Sequence, residues 1–312
     1  MPEGDSVHRT AAALHSGLAG QQLLRSDFRV PALATVDLSG RTVLEAVSRG
    51  KHLLIRLSAD PRTGSRAVTV HSHLMMEGRW ELTAIARPEG RETDAVSSEE
   101  RARASGRGLG RARPQRSSTR LSDRSIRAVL ETGSRRAAGV RVQQLAVVPT
   151  IQEQRLVGHL GPDLLDPGWS ADHAREAVRR LLEAPQRPVA SALMDQTRLA
   201  GIGSIYRCEL LFRHRLAPQT PVGSVGDLAA VVEDARELLL RNCGDGPRMT
   251  TGDPRPGRRL WVYGRQHRPC WRCGTAIEEM TWDDAAGERD PRTDLPRPAR
   301  NRPLFLCPRC QR

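Results

Sequence analysis

The chain has 312 residues, 38% of them hydrophobic, and carries a formal net charge of +13 with a sequence pI near 10.9. That length suits two or three small domains rather than one, and the positive surplus points to a polyanionic partner. The start, MPEGDSVHRT, mixes charges of both signs, and no apolar run reaches about 18 residues, so neither a secretory signal nor a transmembrane helix is expected. Of the 49 basic residues, Lys51 is the single lysine. Arginine stays protonated near neutral pH, whereas lysine can give up its proton. Lys51 is therefore a candidate for chemistry that arginine cannot perform; chance survival on a surface is the alternative.

In chain order, residues 6–18 are predicted helical, capped by Asp5 or Ser6, with Val7, Ala11, Leu14 and Leu18 on one face and Gly17 and Gly20 helping to end it. Apolar runs at 43–47, 52–57 and 67–74 predict strands, as do 125–131 and 140–148. The stretch 87–124, rich in Arg, Ser, Gly and Glu, predicts disorder. Beyond residue 150 the pattern turns helical. Residues 171–183 place Ala174, Val178, Leu181 and Leu182 on one face behind Ser170, and 227–240 place Leu228, Val231, Val232, Ala235, Leu238 and Leu239 likewise behind Asp227. Between them, 187–216 predicts two helices joined by a glycine turn at Gly201–Gly203. The Gly/Pro/Arg-rich stretch 244–258 predicts a linker.

Three signals carry chemistry. Cys270, Cys273, Cys307 and Cys310 form two CxxC turns that suit one tetrahedral structural zinc ion with no open coordination position. Unconnected thiol turns are the alternative. The long interval 274–306 between them holds an acidic, Pro-rich insertion, and Arg302 near its end could grip a phosphate or be a solvated surface residue. The turn around Gly203 and Ser204 leaves backbone amides at a helix start, where an anion can bind, although most such turns only connect helices. Pro2 would become the N-terminus once Met1 is removed. An α-amine titrates at about 7.7–8.0 against about 10.4 for lysine, so its neutral form is available to attack an aldehyde carbon. Glu3 beside it can exchange protons with the substrate.

These signals occur together in one family. The stretches MPEGDSVHRTA, SRGKHLLIRL, HSHLMMEGRW, LGPDLLDP, MDQTRLAGIGSIYRCELLFR, VYGRQHRPCWRCG and RPLFLCPRCQ resemble the formamidopyrimidine-DNA glycosylase and endonuclease VIII family. The PEGD start is similar to the endonuclease VIII branch. The resemblance implies an α+β fold: an N-terminal β-sandwich with flanking helices (1–149), a helix–two-turn–helix domain (150–258) and a C-terminal zinc finger (259–312). It implies a base-excision-repair enzyme that binds damaged double-stranded DNA, with Pro2 as nucleophile, Glu3 as proton donor, Lys51 in β-elimination, Arg302 in phosphate gripping and δ-elimination, and Met76 filling the gap left by the flipped base. Core packing of Met75 and Met76 stays open. A monomer in the bacterial cytoplasm, associated with the nucleoid, is implied, with oxidised pyrimidines as substrate. Oxidised purines, abasic-site cleavage alone and a non-catalytic DNA-binding module are the alternatives. The sequence departs from the family at Ser204, where Asn is usual as a phosphate ligand, and at Leu160, where some relatives carry Arg.

Overall fold

Helix α1 (Gly4–Leu18) begins at Gly4 rather than at residue 6, because Glu3 and not Asp5 or Ser6 stands at its N-cap. The Glu3 amide donates to Ser6 Oγ at 2.8 Å, and the Glu3 carbonyl accepts from the Val7 amide at 3.0 Å. Val7, Ala11, Leu14 and Leu18 are buried, as the periodicity predicts. Gly17 does not end the helix. It is a packing position, where a Cβ would come within 2.4 Å of Leu82 Cδ2. The structure, a computed structural model, describes residues 2–85, 123–286 and 298–312. The segment read as disordered, 87–124, lies outside the described residues except for its last two.

Among the described residues of the first half, eight strands follow α1: β1 (Arg25–Phe28), β2 (Val43–Arg49), β3 (His52–Leu57), β4 (Val68–His73), β5 (Arg79–Ala84), β6 (Ile126–Glu131), β7 (Arg135–Val140) and β8 (Gln144–Pro149). They form two antiparallel four-stranded sheets, ordered β1-β6-β7-β5 and β2-β3-β4-β8. Phe28, Ala128 and Leu130 of the first sheet share one core with Leu53, Ile55 and Val70 of the second and with the apolar face of α1. The stretch 140–148 is not one strand. Arg141 turns the chain with φ +52°, so β7 and β8 fall in different sheets. In the β2–β3 hairpin Arg49 pairs with His52, which places Gly50 and Lys51 in the turn rather than on a strand.

The second half holds α2 (Gln154–Val157), α3 (Ala171–Leu181), α4 (Val189–Ala192), α5 (Ser204–Arg213) and α6 (Leu228–Arg241). All six apolar positions predicted for α6 are buried, and Asp227 caps it by accepting from the Ala230 amide at 2.9 Å. Each of the Leu and Val burials among them stabilises by about 1.5–3 kcal/mol relative to exposure. In α3 the buried residues are Ala177 and Leu181, while Leu182 is exposed, because the helix ends before it. The first helix predicted in 187–216 is the single turn α4; turns then lead through Gly201–Gly203 into α5. No helix among the described residues is long and apolar enough to cross a membrane. A last hairpin, β9 (Glu278–Asp283) and β10 (Asn301–Leu306), lies between the CxxC turns. Its Leu304 and Phe305 share the core of α3–α6, so hairpin and helices pack as one body.

Candidate active site

Glu3 joins the two halves. Its backbone starts α1, and its fully buried carboxylate caps α5 from outside the helix: Oε2 accepts from the Gly203 amide at 3.0 Å and the Tyr206 amide at 3.4 Å, and Oε1 from the Ile205 amide at 2.8 Å. Amides at a helix start have no partner within the helix, and the helix dipole favours an anion there. The amide of Gly203 that the sequence reading offers to a phosphate is thus engaged by the protein's own carboxylate. Glycine is required at 203, since a Cβ would lie 2.3 Å from Glu3 Cδ. Ser204 is fully buried, and its hydroxyl has no hydrogen-bond partner among the described residues.

Asp5, one residue past Gly4, fixes this junction further. Its buried carboxylate accepts from Tyr206 Oη at 3.0 Å and from Arg248 Nε and Nη2 at 2.8 and 2.6 Å. Arg9 donates to the carbonyl of Gly244 at 2.9 Å. The stretch 244–258 is therefore tied to α1 at its near end rather than being a free linker.

Lys51 is presented by a tight turn whose left-handed position is taken by glycine. Gly50 has φ +55°, and its amide donates to Asp163 Oδ2 at 2.7 Å, while Arg49 pairs with Asp166 at 2.8 Å. The two carboxylates of LGPDLLDP thus dock the hairpin onto the helical half. Lys51 lies within electrostatic reach of Glu3, Arg302, Arg207 and Asp284. Burial lowers its ammonium pKa to about 8, against an upward pull from Glu3. Roughly a tenth of such a group is neutral at pH 7.

Four histidines gather beside it, which no sequence pattern indicated. His52 Nδ1 lies 2.8 Å from His71 Nε2, and the rings of His73 and His159 stand 5.0 and 6.1 Å from that of His52. Burial lowers the pKa of His52 to about 3 and of His73 to about 4, so both are neutral at neutral pH. His73 Nδ1 accepts from the Met75 amide at 3.1 Å, shaping the β4–β5 loop. Met75 is 36% exposed and Met76 58% exposed, so core packing does not explain either residue.

Arg302, on β10, has its Nε 3.6 Å from Asp284 Oδ2 and a side chain 41% exposed. A cavity of about 280 Å3 opens beside it, lined in part by His159, Arg187, Gln196, Asp284 and Arg300. Beyond it, the sulfurs of Cys270, Cys273, Cys307 and Cys310 all lie within 4.8 Å of one another, with Cys273–Cys307 at 3.4 Å and Cys270–Cys310 at 4.0 Å. Thiolates around one tetrahedral ion stand about 3.8 Å apart for metal–sulfur bonds of about 2.3 Å. The four residues are therefore placed to hold a metal ion.

The sequence comparisons agree with this arrangement. Residues 1–111 match the formamidopyrimidine-DNA glycosylase N-terminal domain, and residues 160–248 match the formamidopyrimidine-DNA glycosylase H2TH domain, the helix–two-turn–helix module. A probable endonuclease 8 2 of Streptomyces coelicolor is 41% identical over this whole chain and 94% of its own length. The chain belongs to the formamidopyrimidine-DNA glycosylase family. Within the family, a DNA-(apurinic or apyrimidinic site) lyase Nei2 of Mycolicibacterium smegmatis is 40% identical over all of this chain and 99% of its own. The fold is shared with the Lactococcus lactis Fpg in complex with DNA containing an abasic site, at TM-score 0.67 and 18% identity with full coverage of both chains. Both of these relatives, the endonuclease 8 2 and the Nei2 lyase, span the whole of this chain, from the Pro2–Glu3 start through the Lys51 turn to the cysteine hairpin.

Proposed function

We propose that the protein is a bifunctional DNA glycosylase and abasic-site lyase of base excision repair that uses the Pro2 amine as nucleophile. The observation that carries this reading is Glu3: one residue starts the helix behind Pro2, caps α5 across the interface, and lies within electrostatic reach of Lys51. Residues 1–149 would carry the nucleophile, 150–258 the helix–two-turn–helix and 259–312 the metal hairpin. Duplex DNA with a damaged base is the partner, bound by a monomer, and arginines supply a salt-sensitive grip on phosphates.

In this mechanism the damaged nucleotide is extruded from the stack, with Met76, long, apolar and adaptable, filling the space it leaves. The Pro2 nitrogen attacks C1′ of the sugar and the base departs with the glycosidic electron pair; the Glu3 carboxylate takes the proton that the Pro2 nitrogen sheds and hands it to the ring oxygen as the ring opens to an iminium. Neutral Lys51 takes a proton from C2′, and the C3′–O bond breaks. Loss of the 5′ phosphate, assisted by Arg302, follows, and water then frees the enzyme. Gly203 and Ser204 act at the strand through the α5 start they shape. Relatives named endonuclease 8 2 are 39–41% identical, relatives named formamidopyrimidine-DNA glycosylase are 30–31% identical, and relatives named endonuclease 8 are 28% identical; the PEGD start together with the endonuclease 8 2 relatives favours oxidised pyrimidines as the lesion. Borohydride trapping tests the reading. The protein with Met1 removed gives a covalent adduct on an oxidised-pyrimidine duplex, and Pro2→Gly reduces it; DNA binding without an adduct on any duplex would leave a binding module.

Four soft thiolate donors with no fifth ligand among the described residues favour zinc, and a site built from four cysteines suits the cytoplasm, where thiols stay reduced. Held there, the ion supplies structure and no step of the reaction. One zinc per chain is expected by colorimetric release, and stripping it with a chelator weakens abasic-duplex binding by at least about tenfold, since metal binding and folding of such sites are coupled. Unchanged binding by metal-free protein would contradict this.

A further inference from the structure

Arg302 is not held by its own hairpin alone. The side chain of Arg207, in the middle of α5, is fully buried, and its Nη1 donates to Asp284 Oδ1 at 2.5 Å. Its Nη2 donates to the carbonyl of Pro303, the residue after Arg302, at 3.1 Å. The other oxygen of Asp284 has no hydrogen-bond partner among the described residues and stands 3.6 Å from Arg302 Nε. No hydrogen bond to the terminal nitrogens of Arg302 occurs among the described residues. One carboxylate therefore restrains the near end of the guanidinium and leaves its terminal nitrogens without a partner among the described residues, in a side chain that lines the cavity.

A buried ion pair is a poor source of stability, because desolvating both charges offsets their attraction. The hairpin also has other anchors: Trp282 Nε1 donates to Ser191 Oγ at 2.9 Å, and the Phe305 amide to Cys208 Sγ at 3.4 Å. What the pair adds is registration. The helix that carries Arg207 is the one whose first turn holds the Glu3 carboxylate, so a single rigid element sets Glu3 and Arg302 relative to each other.

We propose that the buried Arg207–Asp284 pair positions Arg302 for the second strand cut and thereby sets how far cleavage proceeds. This rests on the functional reading above. In that second cut a proton passes from C4′ of the covalently held sugar to water, a C4′=C5′ double bond forms, and the C5′–O bond breaks with its electron pair going to the departing phosphate. A pre-oriented guanidinium next to that phosphate offsets the charge that develops there without first having to find its conformation. The first cut, at C3′, draws on Pro2 and Lys51 and depends less on the pair. Asp284 is on this view a positioning residue that acts through Arg302.

The test resolves the products of a single turnover on an abasic duplex for the protein as it exists, for Asp284→Asn and for Arg207→Met combined with Asp284→Asn. The double variant removes both buried charges, so it folds even where the single variant leaves Arg207 buried without its partner. Borohydride adduct forms in all three. The ratio of 3′-phosphate ends to unsaturated-aldehyde ends falls by about tenfold or more in the variants, the size of loss that misplacing a catalytic group produces. Combining Asp284→Asn with Arg302→Gln gives no fall beyond that of Arg302→Gln alone. An unchanged product ratio overturns the inference, as does an equal loss of adduct, first cut and second cut, which marks a structural role. Absence of adduct from the parent protein instead overturns the functional reading itself.

Discussion

Exchanging Glu3 for glutamine slows release of an oxidised pyrimidine by about 10³-fold, within the range that a positioned proton donor contributes. The same variant still forms a borohydride adduct on a duplex whose base has already gone, because the abasic aldehyde needs no base departure. The effect reaches the fold as well. All three hydrogen bonds to the Glu3 side chain come from backbone N–H groups at the start of α5. A glutamine can turn only one acceptor oxygen toward them, and its NH2 meets a donor. Leaving a buried donor unpaired costs about 1–3 kcal/mol, which thermal denaturation reads directly. Single-turnover excision measured beside trapping on a preformed abasic site decides the matter. Equal loss in both assays would remove Glu3 from the proton-transfer step and leave it as a helix cap.

The second large effect is at Lys51. Its pKa of about 8 is well below the ordinary lysine value, chiefly through burial. A base must be neutral to take a proton, so cutting of an already formed adduct rises with pH up to about 8 and levels off above it. Lys51→Arg keeps the positive charge and cannot give up its proton. Cutting then falls by about 10²-fold or more, and the rise with pH disappears. An ordinary α-amine titrates in the same region, at about 7.7–8.0, which is why the informative quantity is strand cutting per adduct and not overall rate. A parent profile that is flat between about pH 6.5 and pH 9, or full cutting by the arginine variant, would take the base role away from Lys51.

Some of this was legible in the residues alone, for local reasons. The six buried positions of α6 follow from helical periodicity behind a capping Asp227. The metal cluster follows from two CxxC turns, since each turn needs only its own four residues to aim two sulfurs. Lys51 was conspicuous because every other basic residue is arginine. The proposed nucleophile was legible as chemistry, from a proline placed to become the N-terminus. The resemblance of these stretches to one family then carried the fold, and the whole-length relatives support it.

The tertiary structure decided what those parts do to one another. Glu3 and Ile205 are 202 positions apart, and nothing in either segment announces that one caps the other. Periodicity describes a single element's face and is silent on which distant element covers it. The glycine turn looked like an open anion site from its own residues, yet its amides are occupied by Glu3. Arg207 and Glu209 stand as charged residues in an apolar helix; only the packed structure gives them their partners, Asp284 for one and the amides of Trp261, Val262 and Tyr263 for the other. The four histidines come from two strands and a loop, and Arg141 splits an apolar run between two sheets. The sequence by itself determined the helix faces, the metal-binding turns and the candidate reactive groups, because those depend on spacing and side-chain chemistry. Their meeting at one place, and the lowered pKa of Lys51, were decided by long-range packing, which buries charges beside partners the chain order keeps far apart.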